Sequence, residues 1–253
     1  MAYLYDFEGP SGDDKILKET QLYSCNHGIR FGYDVDAGIT QDVWGWPKDV
    51  GIRAVYVTDV LRLRGTHFHP RHSGETWPAP LHRDGIALWI TEAHNPIIEG
   101  FFSFGYYAGM VIDGPTKSMH FDQIDNDICA FGTLIQGNNC EIFGDYMKAF
   151  GRNNAAGEIG LWITGNNNFI SIDQLNITAF GKNGVRVDGQ NNTLNIQVAK
   201  IMDISLQSWG WPAVESAPNN RIIIDTLYTN APVPAGTWPR GLPGIIQIER
   251  IVN

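Results

Sequence analysis

The chain has 253 residues, 18% of them charged, and its 18 Lys and Arg against 27 Asp and Glu leave a formal net charge of −9. An acidic balance of that size argues against a phosphate-binding surface and so against nucleic-acid partners. No window approaches the roughly 18 continuous apolar residues of a membrane span, and three cysteines at unrelated spacings exclude a disulfide framework.

The start, MAYLYDFEGPSGDDK, has no basic segment followed by an apolar one, so no export signal is expected. NHGIRFGYDV (26–35) and VGIRAVYVTDVLRLRG (50–65) alternate as strands do and read as the first units of a repeat. Trp44-Gly45-Trp46-Pro47, which recurs as Trp209-Gly210-Trp211-Pro212, reads as a projecting loop whose indoles suit sugar rings or a subunit interface. In the long connection that follows, His67 and His69 share a face of an extended chain and His72 lies close by. Such a pattern could hold a transition metal or another divalent cation, against the plainer reading of surface histidines in a loop that also carries His82.

Five hexamers then superpose: ALWITE (87–92), GMVIDG (109–114), GTLIQG (132–137), GLWITG (160–165) and GVRVDG (184–189), with first residues 22, 23, 28 and 24 apart. Alternation within the hexamer predicts two inward columns, Leu88, Met110, Thr133, Leu161, Val185 and Ile90, Ile112, Ile135, Ile163, Val187. It turns Trp89 and Trp162 outward at equivalent positions. A Gly- and Asn-rich turn leads to a second short strand, as in SMHFD (118–122), EIFGD (141–145) and FISID (169–173). A third element ends three times in Ala-Phe-Gly, at 130–132, 149–151 and 179–181. NRIIIDTLYTN (220–230) and GIIQIERIVN (244–253) read as closing strands.

One unit of this kind cannot bury its own apolar face, but units stacked about 4.8 Å apart share a continuous core. The expectation is therefore an all-β chain: a right-handed parallel β-helix, a solenoid with coils of about 22–28 residues. It forms a single domain over 1–253, with its most regular coils over 84–200, earlier coils with long loops over 1–83 and terminal coils over 201–253.

Asp122, Asp145 and Asp173 end the second strand at one offset, with Gln197 there in the next coil. In register they form an acidic ladder about 5 Å apart, a spacing at which carboxylates can serve glycoside hydrolysis, cap turns, or repel. Asp125 and Asp127, at i and i+2 on a strand, would lie about 6.7 Å apart on one face. No nucleotide-binding glycine loop and no Gly-x-Ser-x-Gly elbow occurs, so no cofactor is required.

The units GMVIDGPTKSMHFD and GLWITGNNNFISIDQLNITAFGKNGVRVDGQNNTLNI resemble the pectate-lyase-like β-helix superfamily, and especially bacteriophage tailspike proteins, over about residues 84–200. The resemblance implies a homotrimer, or a partner of other virion proteins, that binds a bacterial surface glycan outside the cell after synthesis in the host cytoplasm. If it implies an enzyme, that enzyme is a polysaccharide depolymerase, a glycoside hydrolase ahead of a lyase, using the aspartates named. The alternative is a non-enzymatic structural or decoration protein of a virion, in which the same aromatics mediate packing.

Overall fold

The structure, a computed structural model, describes residues 2–9, 14–72, 84–152, 157–204, 212–230 and 245–252. The hexamer strands stack in parallel and in register, Leu88 opposite Met110, then Thr133, Leu161 and Val185. Their ladder runs back through Ile52 and Ile29 to Tyr5 and on to Val214. Both predicted inward columns are at most 1% exposed. The product is a parallel β-solenoid of about nine turns, about 70% strand. Among the described residues the one helical element is the short turn Pro70–His72, and no helix is long and apolar enough to cross a membrane.

The hexamer opens on glycine for a steric reason. A Cβ at Gly109 would lie 2.2 Å from Cγ of the buried Asn126, and one at Gly160 or Gly184 would strike Ile177 or Ile201. In these coils the corner leaves no room for a side chain, whereas the first hexamer fits the methyl of Ala87 there.

The second sheet is longer than its sequence pattern implies. Strands Met119–Cys129, Glu141–Gly151, Phe169–Thr178 and Thr193–Met202 each continue past the aspartate column through a bend. Beyond the bend they add a further inward column, Ile124, Met147, Leu175, Ala199 and Leu227. The three Ala-Phe-Gly triplets are not one repeated element. Phe131 starts a hexamer strand and faces outward, Phe150 lies in the second sheet opposite Thr178, and Phe180 is fully buried.

The Asn runs do more than turn the chain. Asn139, Asn167, Asn191 and Asn219 take left-handed φ of 57 to 65°, which Asn tolerates better than most residues. The next position points inward and forms a hydrogen-bonded stack. Oδ1 of Asn168, Asn192 and Asn220 accepts the backbone N–H of Cys140, Asn168 and Asn192 at 2.7, 3.0 and 2.9 Å. These amides are 2–3% exposed, and burying them is tolerable because each Oδ1 is paired across coils, although the Asn168 Nδ2 is not. Cys129 and Cys140 are buried free thiols, and Cys25 is half-buried.

Candidate functional site

Two outer faces carry chemistry, one on each sheet. On the hexamer sheet, Arg53, Trp89, Val111, Leu134, Trp162 and Arg186 form one outward column, a rung apart. Both predicted tryptophans face outward, as expected, separated by two aliphatic rungs and therefore by about 14 Å. Val111 and Leu134 are 4% and 9% exposed, covered by an external apolar cluster with Trp89, Phe131 and Trp162. Phe131 stacks on Trp162 at 5.4 Å and the Arg53 guanidinium lies 4.1 Å above Trp89, a cation–π contact. Each indole N–H is taken by a carboxylate, Trp162 by Asp188 at 2.9 Å and Trp89 by Asp113 at 3.3 Å. What these tryptophans offer a ligand is therefore ring surface. Asp113 and Asp188 occupy one hexamer offset in GMVIDG and GVRVDG, a signal present in the sequence but not read there.

On the second sheet, Asp122, Asp145 and Asp173 are exposed and lie on successive rungs, flanked by paired neighbours on both sides. The column extends beyond the three, with Glu99 before them and Asp225 and Glu249 after Gln197. Asp122 has a structural task. Its Oδ1 accepts the N–H of Gly100 in the preceding coil at 2.7 Å and also that of Gln123, holding the bend. The ladder and the two tryptophans lie on different sheets, so the structure does not bring them together.

Asp125 is bound to Lys148 Nζ at 3.0 Å. Burial raises the Asp127 carboxyl above the usual range, Lys148 pulling the other way and Asp125 adding to the rise. Burial disfavours the Lys148 ammonium, but the Asp125 hydrogen bond and the charges of Asp125 and Asp127 outweigh it and hold Lys148 above its ordinary value.

The two residues of the first WGWP differ from the loop expectation. Trp44 lies inside strand His27–Gly45 and is half-buried. Trp46 is 1% exposed and donates its indole N–H to the Phe104 carbonyl at 2.7 Å, which removes it from any ligand surface. Trp209, Trp211 and His82 lie outside the described residues.

His67, His69 and His72 do gather, with ring centroids 5.1 to 6.3 Å apart beside Phe102 and Phe104. Burial, and then the neighbouring positive groups, push all three imidazoles below their ordinary pKa, His69 to about 4. His69 Nδ1 accepts the Arg71 N–H at 3.1 Å. Among the described residues no group of three or more His, Cys, Asp or Glu is arranged to hold a metal ion.

Comparison of the chain with protein-family models, with curated proteins and with solved structures gave no match. Fold and site together define a parallel β-solenoid with an aromatic outer face on one sheet and an acidic outer column on the other.

Proposed function

We propose that the solenoid binds a bacterial surface polysaccharide lengthwise along its hexamer sheet, with Trp89 and Trp162 as stacking platforms, as part of a bacteriophage tail. The observation that carries the reading is the repeated pair, Trp89 with Asp113 and Trp162 with Asp188, set three rungs apart in one column over a dry aliphatic floor. Ring surfaces at a fixed spacing suit the apolar faces of successive sugars. The virion setting is supported by the likeness of coil pattern to tailspikes.

Asp113 and Asp188 do not form a hydrolytic pair with each other. Asp113 and Asp188 are three rungs, about 14 Å, apart, beyond the roughly 5–9.5 Å over which two carboxylates hydrolyse a glycoside. The test is electrophoresis of the protein through gels containing purified capsule or lipopolysaccharide, together with assays for new reducing ends and for unsaturated uronic ester absorbance. Retardation that disappears in a Trp89→Ala, Trp162→Ala double variant is expected. Unretarded wild-type protein, or a double variant retarded equally, would overturn the reading.

A second reading, a non-enzymatic packing module of a virion, is favoured by one observation: both indole N–H groups are already satisfied within the chain. Loss of incorporation into particles in the double variant, with no glycan bound by wild type, would select it.

A further inference from the structure

A notch of about 320 Å³ opens on the second sheet, away from the tryptophan column. It exists because of two glycines. Asp42, Gly65, Gly100 and Gln123 occupy the corner position after the acidic column in four successive coils, so two consecutive rungs carry no side chain. Both glycines are left-handed, with φ of 60° and 76°, as is Asp42 at 53°. The gap is about 14 Å long, closed at one end by Asp42 and at the other by Gln123. One wall is the outward column Trp44, His67, Phe102.

The groups around the notch are uncommitted in a consistent way. The Trp44 indole N–H and the Gln123 side-chain amide have no hydrogen-bond partner among the described residues, in contrast to Trp89 and Trp162. Asp42 accepts one long bond from Gln41 at 3.4 Å and otherwise faces the gap over Gly65, where a Cβ would lie 2.7 Å from its Oδ1. Arg64, beside the notch, is bound to Glu99 at 2.6 Å. His67 is held below its ordinary pKa by burial and then by His72, so it is neutral at pH 7 and adds no positive charge.

We propose that this notch is a binding site for one neutral pyranose, stacked against the Trp44 and Phe102 wall and hydrogen-bonded through its hydroxyls to Asp42, Trp44 and Gln123. The volume is at the small end of ligand pockets, about 300 Å³ and upward, which suits a single ring. An aromatic wall with a carboxylate acceptor and separate donors matches the amphipathic faces of a sugar. Asp42, with Asp122 and Glu99 in the adjoining column, disfavours a uronic acid. The proposal is independent of the polysaccharide reading of the other sheet.

The test uses the full chain and methyl glycosides of glucose, galactose and mannose, with glucuronate as the anionic control. Binding is read by saturation-transfer NMR and tryptophan fluorescence. At least one methyl glycoside is expected to bind about tenfold or more tighter than glucuronate. Gly100→Asn should fill the notch with less strain than other side chains, because Asn tolerates left-handed φ and a Cβ at position 100 meets nothing closer than 3.9 Å. Gly100→Asn and, separately, Asp42→Asn are expected to weaken that binding about tenfold or more with an unchanged circular dichroism spectrum. Trp162→Ala is expected to leave it intact, so failure here and failure of the polysaccharide reading are separable. No binding by any methyl glycoside, equal binding of glucuronate, or full binding in Gly100→Asn would overturn the proposal.

Discussion

Trp162 donates its indole N–H to Asp188 in the following coil at 2.9 Å, and Trp89 repeats the arrangement with Asp113 at 3.3 Å. Two sites of like geometry on one face give a graded prediction. Trp162→Ala alone should weaken polysaccharide binding about two- to tenfold, the worth of one aromatic contact of about 0.5–1.5 kcal/mol. Removing both tryptophans should cost roughly the product, since they are about 14 Å apart and share no partner. Surface plasmon resonance on immobilised polysaccharide measures both, and a Trp162→Ala affinity equal to wild type would remove that rung from the site.

The acidic column predicts two unlike aspartates. Asp145 is flanked by Asp122 and Asp173 and makes no hydrogen bond among the described residues, so Asp145→Ala relieves repulsion worth up to about 1 kcal/mol at low salt. Asp122→Ala gains the same relief but loses the bond to the Gly100 N–H, which offsets it by about 0.5–1.5 kcal/mol. Denaturant unfolding should rank Asp145→Ala the more stable, and the gain in Asp145→Ala should fade at high salt.

Asn192 is the central member of its stack, accepting the Asn168 N–H and donating to Gly165 O at 3.0 Å and Asn220 Oδ1 at 3.1 Å. Asn192→Ala leaves a buried backbone donor and acceptor unpaired, a loss of about 2–4 kcal/mol. Equilibrium urea unfolding reads it directly. A loss below about 0.5 kcal/mol would show that water satisfies the vacated groups.

The histidine cluster predicts acid sensitivity. His69 has a folded-state pKa of about 4 against an ordinary 6.5, chiefly through burial, then through His67, Arg71 and His72. Between those values the unfolded chain binds more protons, so the stability held above about pH 6.5 falls as pH drops toward 4. Thermal melts of wild type and His69→Gln across this window should show the smaller decline in the variant. Parallel declines would mean that His69 does not contribute.

The inward columns were readable because the hexamer keeps apolar residues at its inward offsets through five coils, Thr133 excepted, as Leu161 and Ile163 repeat Leu88 and Ile90. The acidic column was readable for the same reason; Glu99 escaped because it falls one residue short of the shared offset after ALWITE, and Asp225 and Glu249 because the coils bearing them match the hexamer pattern less closely. Trp46 shows the limit of motif identity. Trp44 and Trp46 lie two residues apart, yet the strand ends at Gly45 between them, and the second is buried with its indole N–H on a carbonyl fifty-eight residues away. The notch was illegible because it arises from Gly65 and Gly100, which become neighbours only when their coils stack. The hydrogen bonds between Asn runs were hidden likewise, since each joins residues a full coil apart.

Turns are ordinarily where a fold yields first, because their amides face water. In this chain the corner containing Cys140, Asn168 and Asn192 carries its own column of bonds parallel to the long axis. Amide deuterium uptake there should be as slow as in the adjoining sheets. The edge of the solenoid is thus a stiff spine whose gradations do not slide.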